Sequence, residues 1–145
     1  MPIGAKPMKT ENLLLDTCAV IWISQDEPIA ETAMAAISKV PQSGTLNVSV
    51  MTAWEMGMLV SKGRLPSTKS PERWFDEFVE AAAVEVEGVT PRILVAASYL
   101  PGVAHNDPVD RILIATARER DLTIITRDRA ILAYAAQGHV RAIAC

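Results

Sequence analysis

The sequence predicts a three-layer α/β/α domain, and three observations predict it. The wholly apolar run "LLL" at 13–15 and the run "LTIITR" at 122–127 suit buried strands. Helical stretches alternate with these runs, the pattern of a parallel sheet covered by helices on either side. The chain has 145 residues, half of them hydrophobic, which is enough for one domain with a sizeable core.

The elements follow in order. "NLLLDT" (12–17) is the first strand and ends in Asp; "CAVIWIS" continues as a helix. "PIAETAMAAISKV" (28–40) opens on Pro and is rich in Ala, which predicts a second helix. "SGTLNVS" (43–49) is a turn and a strand, and "MTAWEMGMLVSKG" (51–63) is a helix closing on Lys-Gly. "PERWFDEFVEAAA" (71–83) carries apolar residues at 74, 75, 78, 79 and 82, a helical stripe. "VEVEGV" alternates as a short strand, and prolines bracket the helix "TPRILVAASYLP". "DPVDRILIATARERD" is the next helix, "LTIITR" a buried strand, "DRAILAYAAQG" the last long helix and "VRAIA" a terminal strand. Residues 1–10 read as a flexible lead-in and 11–145 as a single domain.

Composition excludes several classes. A hydrophobic half excludes disorder. No apolar run is long enough to span a bilayer, and the N-terminus lacks the apolar core of a signal peptide, so a cytoplasmic protein without a membrane partner is expected. Cys18 and Cys145 belong to no CxxC or Cys/His cluster; this argues against zinc, and two lone thiols suit a reducing compartment. Seventeen acids against 14 bases give a net charge of −3, which argues against nonspecific coating of nucleic acid. That charge is compatible with an enzyme that bridges phosphate to its own acids through a metal.

In open α/β sheets, ligands bind beyond the carboxyl ends of the strands, so acids that follow strands carry the chemical interest. Asp16, Asp107 and Asp128 each stand where an N-cap is expected, and Asp110 stands at the third helical position, where a carboxylate gains from the helix dipole. Capping therefore explains each of these acids singly. Glu55 is different: Ala53, Trp54, Met56, Met58 and Leu59 leave little polar surface on its helix, which predicts partial burial. A buried carboxylate is costly unless paired or bound to a cation. Four carboxylates gathered at one sheet edge would repel one another and raise their pKa values unless cations neutralise them, and hard oxygen ligands suit Mg²⁺ or Mn²⁺. Thr17 is a further candidate cap or water-orienting group, and Thr126 one that holds a water or a carboxylate.

"LLLDTCAVIW", "SVMTAWEMGMLVSKGRL", "HNDPVDRILIATA" and "LTIITRD", in this order and spacing, resemble a PIN domain, and most closely the VapC-type toxins of bacterial toxin–antitoxin pairs. The resemblance runs from about residue 12 to 143. It implies a five-stranded parallel sheet and a metal site formed by Asp16, Glu55, Asp110 and Asp128, with Asp107 as the acid preceding Pro. Ser49 and Thr126 also match, and with Thr17 they are candidates to orient water or carboxylates. Val109 departs from the pattern where an aromatic is common, and "ATA" replaces a frequent "AQA". The resemblance further implies a Mg²⁺- or Mn²⁺-dependent endoribonuclease that is a homodimer and is inhibited by a small VapB-type antitoxin.

The expected chemistry is hydrolysis of RNA by a metal-activated water attacking in line, with metal and preorganised charge stabilising the phosphoryl oxygens. Lys62, Arg64, Arg111 and Arg127, with Arg129, are candidates for the RNA backbone, each weighed against a surface charge or ion pair; Arg111 is also a candidate brace for the carboxylates. His105 is read as a locally bonded loop residue. Trp22, Trp54 and Trp74 are read as core or interface, and "PERWFDEFVEAA" as a core helix with an antitoxin groove as its alternative. Two rival functions remain. An aspartyl-phosphate enzyme of the haloacid-dehalogenase type needs a second Asp two residues after the first, where this chain has Cys18. The other rival is a PIN-fold partner-binding module without cleavage.

Overall fold

The computed structural model describes residues 12–102 and 106–145. The lead-in expected over 1–10 and the loop histidine His105 lie outside these residues.

Five strands form one sheet: β1 (Leu13–Leu15), β2 (Leu46–Ser49), β3 (Glu85–Glu87), β4 (Thr123–Thr126) and β5 (Arg141–Ala144). Their order is β3-β2-β1-β4-β5 and every pairing is parallel. Among the described residues seven helices connect them: α1 (Thr17–Ser24), α2 (Glu31–Ser43), α3 (Val50–Ser61), α4 (Pro71–Ala81), α5 (Pro91–Ser98), α6 (Pro108–Arg120) and α7 (Arg129–Ala136). Parallel neighbours cannot be joined by hairpins, so each connection must cross over a face of the sheet.

The chain runs outward from β1 through β2 to β3, then returns to the other side of β1 for β4 and β5. Crossovers keep one hand, so this reversal sends the later helices to the opposite face. Side chains alternate along a strand. Leu13 and Leu15, with Ile125, accordingly pack under α1, α2, α3 and α4, where Val20, Ala33, Met56 and Phe75 meet them. Leu14 and Ile124 point the other way, against Leu113 and Ile114 of α6 and Ile131 and Tyr134 of α7. All three leucines of β1 are fully buried, which is why that run carries no polar alternation.

The sheet edges read differently because each has one open side. β3 exposes both Glu85 and Val86 while Glu87 is partly covered, so burial on this edge strand does not follow its alternating sequence. Both bounds of α2 depart from the expected 28–40, since the helix runs Glu31–Ser43. α2 begins at Glu31 rather than Pro28, because Ala30 is extended (ψ 146°) and no side chain caps it. Asp121 ends α6 in the left-handed region at φ 58°, a conformation that Asp tolerates better than most residues. Among the described residues no helix is long and apolar enough to cross a membrane.

The order reverses between β1 and β4, so the crevice beyond their carboxyl ends is where a ligand is expected. Leu14 supports this junction from below. Leu14→Ala, at a site with no solvent exposure, is expected to lower unfolding free energy by about 2–5 kcal/mol in urea titration. A loss below about 1 kcal/mol would show that the core beneath the crevice can collapse around the gap.

Candidate metal centre

Asp16 leaves the end of β1 and caps α1. Its Oδ1 accepts the Thr17 amide at 2.7 Å and its Oδ2 accepts the Thr126 hydroxyl at 2.6 Å. The same Thr126 oxygen accepts the Asp128 amide at 2.9 Å, so one fully buried hydroxyl fixes both acids at the β1–β4 junction. Asp128 in turn caps α7 by accepting the Ile131 amide at 2.9 Å. The Cys18 thiol approaches Asp16 Oδ2 at 3.8 Å.

Glu55 comes from α3 and is half-buried, as the apolar surroundings predict. Its Oε1 accepts the Thr17 hydroxyl at 2.5 Å, and Thr17 lies 3.0 Å from the Thr52 hydroxyl. A hydroxyl has one proton, so with Thr17 donating to Glu55 it is Thr52 that donates to Thr17. Thr52 escaped the sequence reading; its signal is a lone hydroxyl three residues before Glu55, on the same helical face. Ser49 is occupied otherwise: its side chain accepts the Met51 amide at 3.0 Å and caps α3.

Asp107 caps α6, as its place before Pro predicts, accepting the amides of Val109 at 2.9 Å and Asp110 at 3.1 Å. Asp110 follows in the first turn and is buried. Asp107 does more than build the helix. Ligand oxygens of Glu55, Asp107 and Asp110 lie within 4.8 Å of one another, a spacing open to one shared cation. Asp16 and Asp128 stand outside that trio but close enough for their charges to act on it.

The electrostatics follow from the crowding. Burial pushes Asp110 up to about 8, helped by the charges of Asp16, Asp107, Asp128 and Glu55. Burial also raises Glu55, against the Thr17 hydrogen bond and with the charges of Asp16, Asp107 and Asp128. Asp16 is raised by burial, opposed by its bonds from Thr126 and Thr17. A cation placed among such groups would favour their ionised forms. A donor set made wholly of carboxylate oxygens fits a hard divalent ion, which Glu55, Asp107 and Asp110 could hold with Asp16 and Asp128 beside them.

The basic candidates divide. Lys62 and Arg64 line a cavity of about 300 Å³ with Trp54, Glu55 and Asp107. Arg127 instead bonds the carbonyls of Cys145 (2.8 Å) and Pro28 (3.2 Å) and stacks on Trp22. Arg111 donates its Nε–H to the Ala97 carbonyl at 3.0 Å, tying α6 to α5. Arg129 is exposed at the start of α7.

The model of the PIN domain matches residues 13–137. This chain belongs to the PIN domain family. It is 28% identical over 117 residues to Ribonuclease VapC22 of Mycobacterium tuberculosis (strain ATCC 25618 / H37Rv), covering 81% of this chain and 87% of that protein. The solved structure of VapBC2 from Rickettsia felis bound to a DNA fragment from their promoter is similar at a TM-score of 0.67 and 14% identity, over 91% of this chain and 97% of that one. FitAcB from Neisseria gonorrhoeae is similar at a TM-score of 0.59 and 18% identity, over 90% and 96% of the two chains. At these identities the solved structures speak for the fold alone.

Two outcomes are expected of this PIN domain. Between pH 3.8, the ordinary value for Asp110, and about 8, the metal-free folded state keeps a proton that the unfolded chain has lost. Stability in EDTA should therefore fall as pH rises through that window, by no more than about 1.4 kcal/mol per pH unit for this one group. Asp110→Asn should flatten the profile in denaturant titrations at several pH values; an unchanged slope in the variant would refute the assignment. Thr126→Val removes a donor to Asp16 and an acceptor for Asp128, and should cost about 1–3 kcal/mol of stability. Divalent-ion affinity, read by calorimetry, should fall roughly 10–100-fold in the same variant.

Proposed function

We propose that this PIN domain is a divalent-metal-dependent endoribonuclease, the toxin half of a type II toxin–antitoxin pair. The observation that carries the reading is the gathering of Glu55, Asp107 and Asp110 within 4.8 Å beside Asp16 and Asp128, in a chain similar to a protein named as a ribonuclease. Carboxylates whose ionisation is disfavoured by burial and by one another are a poor end in themselves and a good place for Mg²⁺ or Mn²⁺.

When bound, such an ion supplies a water activated near neutral pH and offsets charge on the phosphoryl oxygens. The chain's own residues do the rest. Thr126 and the Thr17 amide hold the Asp16 carboxylate in one orientation, and the Thr17 hydroxyl does the same for Glu55. Asp110 and Asp107 are aimed by the first turn of α6, which cannot shift without breaking two capping bonds. Lys62 and Arg64 lie along the cavity that Glu55 and Asp107 border, positioned to take RNA phosphates on either side of the cleaved one. Family resemblance adds a 5′-phosphate and 3′-hydroxyl product.

The partner reading follows the same resemblance: a homodimer restrained by a VapB-type antitoxin. Its support is that solved structures of like fold are named as VapBC2 and FitAcB assemblies. Against an aspartyl-phosphate enzyme, the position two after Asp16 carries a thiol, Cys18, directed at Asp16 itself.

Labelled RNA incubated with Mg²⁺ or Mn²⁺ should be cut, and EDTA should abolish cutting. Asp16→Asn and Asp110→Asn should each lose more than about a hundredfold in rate, since even residues that merely orient metal ligands are worth roughly 10–100-fold. Cleavage that persists in EDTA or in both variants would rule out the metal mechanism. Wild-type protein that binds a co-expressed antitoxin but cuts no RNA would favour a binding module instead.

A further inference from the structure

The three tryptophans do not share one environment. Trp74 is 8% exposed in the core, and Trp22 is half-buried under the Arg127 guanidinium, whereas Trp54 is 55% exposed. A scattered exposed apolar residue needs no explanation. Trp54 is not scattered, because it lines the same cavity of about 300 Å³ as Glu55, Asp107, Lys62 and Arg64. Consecutive helical residues diverge by about 100°, so Trp54 stands beside the Glu55 carboxylate rather than over it. Lys62 and Arg64, just past the end of α3, are exposed, and neither forms an ion pair among the described residues.

One cavity thus offers a flat aromatic face, two uncommitted cations and the border of the carboxylate cluster. Its occupant must bring a π-face for the ring and negative charge for the cations. The core of a protein interface is depleted in charge, which disfavours a second copy of the chain here. A nucleotide has both features. Its base must also be unpaired, because a base stacked within a duplex presents no free face.

We propose that Trp54 is a stacking platform for one unpaired base of single-stranded RNA, next to the cleaved phosphate, with Lys62 and Arg64 on the flanking backbone. This rests on the ribonuclease reading and adds to it the residue that seats a base. Stacking on an aromatic is tolerant of base identity, so Trp54 selects for strand form and position more than for sequence.

The test separates binding from turnover. Short single-stranded RNAs of mixed sequence are titrated in Mg²⁺ against full-length Asp110→Asn protein, alone and combined with Trp54→Ala or Trp54→Phe. The Ala variant should weaken binding roughly five- to hundredfold and Phe should restore most of it. Removing single bases along the RNA while keeping the backbone should weaken binding at one position, and Trp54→Ala should erase that penalty. Quenching of tryptophan emission by RNA should vanish with Trp54. In the cleaving protein, Trp54→Ala should raise KM more than it lowers kcat. Affinity within twofold of the parent, with the base-removal penalty intact, would overturn the platform while leaving the nuclease reading standing. Dissociation of a dimer by Trp54→Ala, with RNA affinity unchanged, would assign the ring to a contact between copies and overturn it too. Absence of both RNA binding and cleavage in the wild-type chain would remove the nuclease reading and the platform together.

Discussion

Burial of mutually repelling carboxylates is the constraint around which the rest of the molecule is arranged. Shifting Asp110 from 3.8 to about 8 corresponds to roughly 5–6 kcal/mol against its ionised form. The fold supplies partial relief. Asp16, Asp107 and Asp128 cap α1, α6 and α7, and Asp110 lies in the first turn of α6, so the positive ends of three helices converge on the acids. A charge at a helix start gains only about 0.3–1 kcal/mol, which does not balance burial and repulsion together. Capping and the gathering of acids are therefore one arrangement: the helix ends orient the acids, and the charge left over is what a bound cation would neutralise.

The hydroxyls form a second tier. Thr126 joins Asp16 to the backbone of Asp128, and Thr17 joins Glu55 to Thr52. Both sit at places where the sheet gives way to helix. Through them β1, β4, α1 and α3 share one rigid hydrogen-bonded edge, which keeps like charges from swinging apart into water.

Much of this was legible in the sequence, for reasons that differ by element. Central strands must be apolar on both faces, so "LLL" and "LTII" announced their places, and Pro108 marked the start of α6. What depended on tertiary angles was hidden. Asp107 enters the carboxylate group only because α3 and α6 bring Glu55 beside it, and Trp54 looks like core until the exposed flank of α3 is known. Adjacency along the chain says little about where two arginines bond. Side chains alternate at a strand end, so while Thr126 faces Asp16, Arg127 turns away toward Cys145 and Trp22. Arg111 is rotated about 100° from Asp110 on the helix and reaches the Ala97 carbonyl of α5.

The placement of β1 between β2 and β4 also governs when the molecule becomes whole. Residues 13–15 pair first in sequence with 46–48, but their other neighbours are 123–125, more than a hundred residues downstream. Closing a loop of that length is an entropic barrier met before any contact rewards it, and such pairings slow folding. A chain emerging from synthesis carries Asp16, Glu55, Asp107 and Asp110 before it has Thr126 to orient the first or Asp128 to complete the set. The acids therefore exist as separate caps and loop residues for most of the chain's elongation. They become a single site only when the fourth strand slides in beside the first, so assembly of the centre reports completion of the fold.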